Sequence, residues 1–253
     1  MFAVLEIAIA VTIYFAIALF GVRALARMGF VTSKGGANTA PSMPLIAAAA
    51  INLIIAVLVF LTHIGFGGSL TDFRTGTGIP DLGWSLLSGG LMLGVAASFA
   101  RLRGARRITP TAGTGLTALL VLALFCAALM EEIVFRAVII GALMPYGIWT
   151  ALLVSALIFT LIHLPTNTVT IEAVAGWFIG GVAFGGAWLA GAPLVVVTLI
   201  HLGHNLGNVF WVQPAAQFGR VEKPEAPPAM RLVRYGVDAA VIVALAVIGY
   251  QWL

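Results

Sequence analysis

The stretch Leu129-Met130-Glu131-Glu132-Ile133-Val134-Phe135-Arg136 sets two carboxylates and a guanidinium inside the apolar run 113–144. A charged side chain at bilayer depth costs about 2.5–3.5 kcal/mol on the translocon scale, so an intramembrane ionisable residue needs a partner and marks a functional candidate. Glu132 and Arg136 are four apart and fall on one helix face, where a charge-assisted pair offsets part of the burial cost. Glu131, about 100° round the helix, points to a neighbouring part of the bundle interior and is left free for other work. A purely structural reading has both glutamates bracing Arg136 and a backbone carbonyl. It is disfavoured, because one pair suffices and a further buried carboxylate is expensive.

The chain around this stretch is 61% hydrophobic and 9% charged, against about 45–50% and 25% in soluble domains. Its mean hydropathy is +1.10. Apolar runs fall near 4–22, 43–63, 82–100, 113–144, 147–164, 169–190, 193–212 and 236–252. At about 20 residues per span, they predict an all-α polytopic membrane helix bundle with about eight transmembrane helices. The expected organisation is a single integral membrane domain over residues 1–253 with a motif-bearing core at 113–212.

Lys and Arg gather in cytoplasmic loops, which tests this count. Arg23, Arg27 and Lys34 follow run 1; Arg101, Arg103, Arg106 and Arg107 follow run 3; Arg220, Lys223, Arg231 and Arg234 follow run 7. Only Arg74 falls in an outer loop, so both termini are expected outside. Topology thus accounts for the net charge of +4, and no nucleic-acid partner is expected. The single cysteine, Cys126, rules out an intramolecular disulfide and a cysteine-rich metal site. No basic segment precedes run 1, so no cleavable signal peptide is expected. Trp84, Trp149, Trp188 and Trp252 read as outer interfacial anchors and Trp211 as an inner one, while Trp177 lies mid-run and breaks the pattern. The proline-rich, mixed-charge segment 213–235 reads as a solvated linker. Glycines 176, 180, 181, 185 and 186 give run 6 a small face for close packing.

Two further polar constellations follow. Run 5 ends in Phe159-Thr160-Leu161-Ile162-His163-Leu164-Pro165, where Pro165 marks the boundary. Glu131 lies 16 residues before Gly147 and His163 lies 16 after it. In an antiparallel hairpin turning at Met144-Pro145-Tyr146-Gly147, both sit roughly 24 Å from the tip, at matching depth. Run 7 offers two i,i+4 pairs, His201 with Asn205 and His204 with Asn208, and Gly203 and Gly207 suit a close helix contact. Counting residues places His201 only about 12–15 Å from the outer end, shallower than Glu131 and His163.

Two chemistries stay open for these residues. Glu131, His163 and one histidine of run 7, His201 or His204, can hold a zinc with an open water position. Alternatively Glu131 acts on water without a metal, while histidines and Asn205 stabilise the oxyanion. Both lead to hydrolysis. A His-Glu-x-x-His motif and a Gly-x-Ser-x-Gly elbow are absent. A proton-coupled transporter is the alternative, but repeated broken helices in two halves are not seen. A catalytically idle membrane scaffold is the third reading. His63 reads as interfacial, Glu6, Glu172 and Asp238 as snorkelling residues near helix ends, and Phe159 as packing beside His163.

Taken together, Glu-Glu-x-x-x-Arg at 131–136, Phe-x-x-x-His at 159–163 and His-x-x-x-Asn at 201–205 resemble the CAAX protease and bacteriocin-processing (CPBP, or Abi) family. Its eukaryotic members are the type II CAAX prenyl endopeptidases. The resemblance covers about residues 113–212. It implies an intramembrane endopeptidase whose catalytic residues are Glu131, Glu132, Arg136, His163, His201 and Asn205, with Glu131 activating water and His204 with Asn208 in reserve. It implies a chamber opening toward the cytosol, a peptide or protein substrate entering from membrane or cytosol, and membrane lipid around it. Arg outnumbers Lys by 11 to 2. With the Ala/Gly richness, this points to a bacterial plasma membrane and away from a prenylated substrate.

Overall fold

The computed structural model describes residues 2–27, 42–75, 78–102, 106–107, 113–165, 169–212, 221–222 and 228–252. Lys34, Arg103, Arg220, Lys223, Pro214, Pro224 and Pro227 lie outside these described residues. The helices in chain order are α1 (Phe2–Arg27), α2 (Ser42–Gly65), α3 (Ile79–Leu102), α4 (Thr114–Glu132), α5 (Ile148–His163), α6 (Ile171–Leu189), α7 (Leu194–Gly207) and α8 (Pro228–Trp252). Five of the helical segments are long and apolar enough to cross a membrane, and α1, α5 and α7 carry shorter apolar stretches. The chain is an integral membrane protein. Where no water can satisfy the backbone, helices are the spanning solution open to such runs. Accordingly, large apolar side chains such as Leu53, Ile54, Val57 and Leu61 of α2 stay on the outside of the bundle.

Helix α8 starts at Pro228, a little over two turns before the expected run, so residues 228–235 are not linker. A proline at the first helical position loses no hydrogen bond and pre-sets φ. Arg234 is thereby carried into the bundle, where it is 6% exposed. An antiparallel two-residue pairing of β1 (Arg106–Arg107) with β2 (Val221–Glu222) ties the connection after α3 to the one before α8.

Close helix contact is built on glycine. A Cβ at Gly203 of α7 would run into the Gly89 carbonyl of α3, and one at Gly207 would overlap Ala96. The α6 glycines serve two neighbours: Gly181 and Gly185 meet Ala156 and Leu152 of α5, while Gly176 lies under Tyr235 of α8. Because the obstacle at Gly203 is backbone, no rotamer change relieves it. Gly203→Ala is expected to destabilise the protein by at least the 1–3 kcal/mol, roughly, of ordinary overpacking. The control Gly94→Ala, which meets open space, should gain up to about 1 kcal/mol of helix propensity. Thermal unfolding in detergent separates the two, and equal midpoints would refute the close-contact account.

Three readings of outer residues are corrected by burial. Glu6 and His63 are each 8% exposed, and His63 joins two carboxylates: Nδ1 is 2.6 Å from Glu6 Oε1 and Nε2 is 3.0 Å from Asp72 Oδ2. They do not snorkel, because each satisfies the other inside the bundle. Asp72 sits in a short 3-10 turn, Leu70–Phe73. The Ser69 amide, then His63, holds its carboxyl below the usual carboxylate range. Trp188 is 3% exposed and covered by the Arg74 guanidinium at 4.9 Å, so it is not a lipid-facing anchor. Trp149, 71% exposed, fits that role.

Candidate active site

Helix α4 does not end at Glu132. It continues as a π-helix over Ile133–Ile140, then Gly141–Leu143 and a 3-10 turn, Met144–Tyr146. Gly147, at φ 103°, then reverses the chain into α5, in a conformation that a side chain disfavours. π-helical turns are rare and concentrate at functional sites. Here the switch from α to π geometry falls directly after the glutamate pair. Every residue from Val134 to Ile140 is buried, so this segment is the centre of the core.

Glu132 and Arg136 are both fully buried, and Arg136 Nε donates to Glu132 Oε2 at 3.0 Å. The guanidinium is boxed by the rings of Phe135, Phe159 and Phe184 at 5.9, 5.3 and 5.9 Å. Three aromatic faces thus complement the one carboxylate in holding the cation. The expected pair is in place, with aromatic neighbours that the motif spacing does not announce.

His201 of α7 is 4% exposed and lies between the two glutamates. Its Nδ1 donates to Glu132 Oε1 at 2.7 Å, and its Nε2 faces Glu131 Oε2 at 3.6 Å. The carboxylate can only accept, so Glu132 fixes the proton on Nδ1 and aims the other nitrogen at Glu131. Phe184 of α6 stacks on the imidazole at 4.4 Å and 22°. The 3.6 Å approach of His201 Nε2 to Glu131 Oε2 puts these two residues at one level, against the residue count. The Leu194 amide donates to the Arg74 carbonyl at 2.8 Å. Arg74 itself donates to the Trp188 carbonyl at 3.0 Å, so the outer loop sets where α7 starts.

His163 closes α5. Its Nδ1 donates to the Phe159 carbonyl at 2.7 Å, and its ring stacks on Trp177 of α6 at 5.4 Å and 26°. This contact gives the mid-helix Trp177 its role. Phe135 and Phe159 meet edge-on at 5.1 Å. Phe135 follows Glu131 by four residues and Phe159 precedes His163 by four, so the ring contact joins the two motifs across the hairpin. Asn205 follows His201 one turn on and is half-buried.

The two candidate pairs on α7 part company. His201 serves α4, whereas His204 and Asn208 turn to α8: Arg234 Nη2 donates to Asn208 Oδ1 at 2.7 Å, and His204 Nδ1 lies 3.5 Å from Asp238 Oδ2. Asp238 is 3% exposed, which corrects its reading as a snorkelling residue. Among the described residues, no group of three or more His, Cys, Asp or Glu side chains is arranged to hold a metal ion. Glu131 and His201 are two such donors, and His163 is not brought into a metal-holding group with them.

Residues 113–207, which carry all three constellations, match the family model described as Type II CAAX prenyl endopeptidase Rce1-like. That segment is similar to the type II CAAX prenyl endopeptidase family. No curated protein matches the chain. The matched segment runs from the start of α4 to the end of α7, so it includes His201 and Asn205 and stops before Asn208. Sequence reasoning missed Phe184 and Tyr14. Tyr14 of α1 packs edge-on to Phe135 at 6.1 Å. An aromatic in an apolar run carries no sign of what it will face.

Proposed function

We propose that the protein is an intramembrane endopeptidase that hydrolyses peptide bonds of hydrophobic or membrane-associated substrates by glutamate-activated water. The observation that carries this is His201, held by Glu132 through Nδ1 with Nε2 3.6 Å from Glu131 Oε2. That gap is too long for a direct hydrogen bond and short enough for one water to touch both atoms. Such a water gives one proton to Glu131 and points the other at Nε2, leaving a lone pair for the scissile carbonyl carbon. Glu131 takes the proton as the C–O bond forms and returns it to the departing amine as the C–N bond breaks. Asn205 is proposed as a donor to the oxyanion, and His163, whose Nδ1–H is held by the Phe159 carbonyl, donates through Nε2–H when it is the imidazolium.

A catalytic zinc needs three protein ligands. The described residues bring two together, and the route proposed runs through Glu131 and water. The catalytic core comprises residues 113–212, with α1–α3 and α8 shaping the chamber around it. The basic loops support both termini outside, the family resemblance a chamber opening to the cytosol, and the excess of Arg over Lys with the Ala/Gly richness a bacterial plasma membrane.

Purified protein in detergent, given quenched apolar peptides, tests the assignment. His201→Gln keeps an amide in place of the imidazole and is expected to lower turnover about 10²–10⁴-fold. Cys126→Ala, which changes a side chain outside the pair and its supports, should stay far closer to the wild type. Equal loss in both, or wild-type turnover by His201→Gln, would overturn the role given to His201.

A further inference from the structure

Helix α8 lies beyond the family-matched segment, yet it carries buried charge directly against α7. Arg234 and Asp238 are 6% and 3% exposed, and Arg234 Nη2 lies 3.3 Å from Asp238 Oδ2. The same carboxylate oxygen lies 3.5 Å from His204 Nδ1, and the same guanidinium nitrogen donates to Asn208 Oδ1 at 2.7 Å. Arg234 Nε and His204 Nδ1 make no hydrogen bond among the described residues. A buried pair of this kind is seldom the most stable filling for its space, because apolar residues of like volume often do better. Its geometry does something else: it holds α7 by the hydrogen bond to Asn208 and lies against it at His204, one turn back, and so fixes the rotation of that helix.

Rotation is what the site needs. His201 lies one turn from His204, and Phe184 touches both imidazoles, stacked on His201 and edge-on to His204 at 6.2 Å and 81°. Tyr235, next to Arg234, packs over Gly176, the neighbour of the Trp177 that stacks on His163. One turn of α8 therefore backs the helices that present both histidines. We infer that Arg234 and Asp238 are positioning residues that, through His204 and Asn208, seat His201 between Glu131 and Glu132. The inference rests on the proposed water-activating role of His201 for its effect on turnover, but not for its effect on geometry.

Selective labelling of the four histidines, with assignment by single replacement, reads the imidazole signals in detergent. Arg234→Met and the isosteric Asp238→Asn are expected to shift the His201 signals and leave those of His63 unchanged. Turnover should fall about 10–100-fold at a KM within about twofold, as small misplacements of catalytic groups do. Arg234→Lys, which keeps a charge and a donor, should restore most of both. Should Arg234→Met fail to insert, Asp238→Asn carries the test alone. Unshifted His201 signals in the folded variants would overturn the inference whether or not any peptide is cleaved. Shifted signals in a protein that cleaves nothing would uphold the positioning while refuting the proteolytic reading.

Discussion

Glu132→Leu is expected to destabilise the protein by about 3–5 kcal/mol, the cost of removing one partner of a buried ion pair. Arg136 is fully buried, and its Nη1 and Nη2 have no hydrogen-bond partner among the described residues. The carboxylate on Nε is therefore the hydrogen-bonding anion it has. Leucine fills the space and leaves the cation stranded, with three aromatic faces that supply about 2 kcal/mol or more at most sites of this kind. The same change frees His201 Nδ1, so cleavage should be lost as well. The double variant Glu132→Leu/Arg136→Met should regain most of the stability, because neither charge remains, and still not cleave, because His201 has lost its anchor. Thermal unfolding of the four proteins in detergent forms a double-mutant cycle. Additive losses would mean that the two residues do not act as a pair.

The reach of the sequence differs from residue to residue. The Glu132–Arg136 pair is legible because helix geometry alone brings residues four apart together. The hairpin that joins the Glu131 and His163 motifs is legible because Gly147 punctuates it. Residue counting leaves His201 too shallow to meet Glu131, because the start of α7 is tied to the Arg74 carbonyl, a contact across 120 positions that hydropathy does not encode. The π-helix at 133–140 has no glycine or proline to announce it. Glu6 and His63 each look like a lone polar residue near a helix end. Their pairing exists only once α1 and α2 lie side by side with the Asp72 turn above them. Arg234 looks like loop in the sequence because the prolines before it resemble linker, although a proline also opens helices.

Glu131→Gln is the replacement expected to weigh most on turnover. Glutamine keeps the volume and a carbonyl oxygen facing His201, but its amide cannot take a proton from water. Glu131 takes no part in the buried pair, and its side chain is 13% exposed, so the fold should survive the change. A general base contributes about 10²–10⁴-fold, and a glutamate that also returns the proton to the leaving amine belongs at the upper end. The decisive measurement is cleavage of a quenched apolar peptide library by wild-type and Glu131→Gln proteins, purified side by side, with metal content and chelator sensitivity recorded on the same samples. The account predicts cleavage by the wild type that persists in chelator and falls about 10³–10⁴-fold in Glu131→Gln at unchanged thermal stability. Cleavage by a stably folded Glu131→Gln at the wild-type rate would contradict it, as would stoichiometric zinc whose removal abolishes turnover.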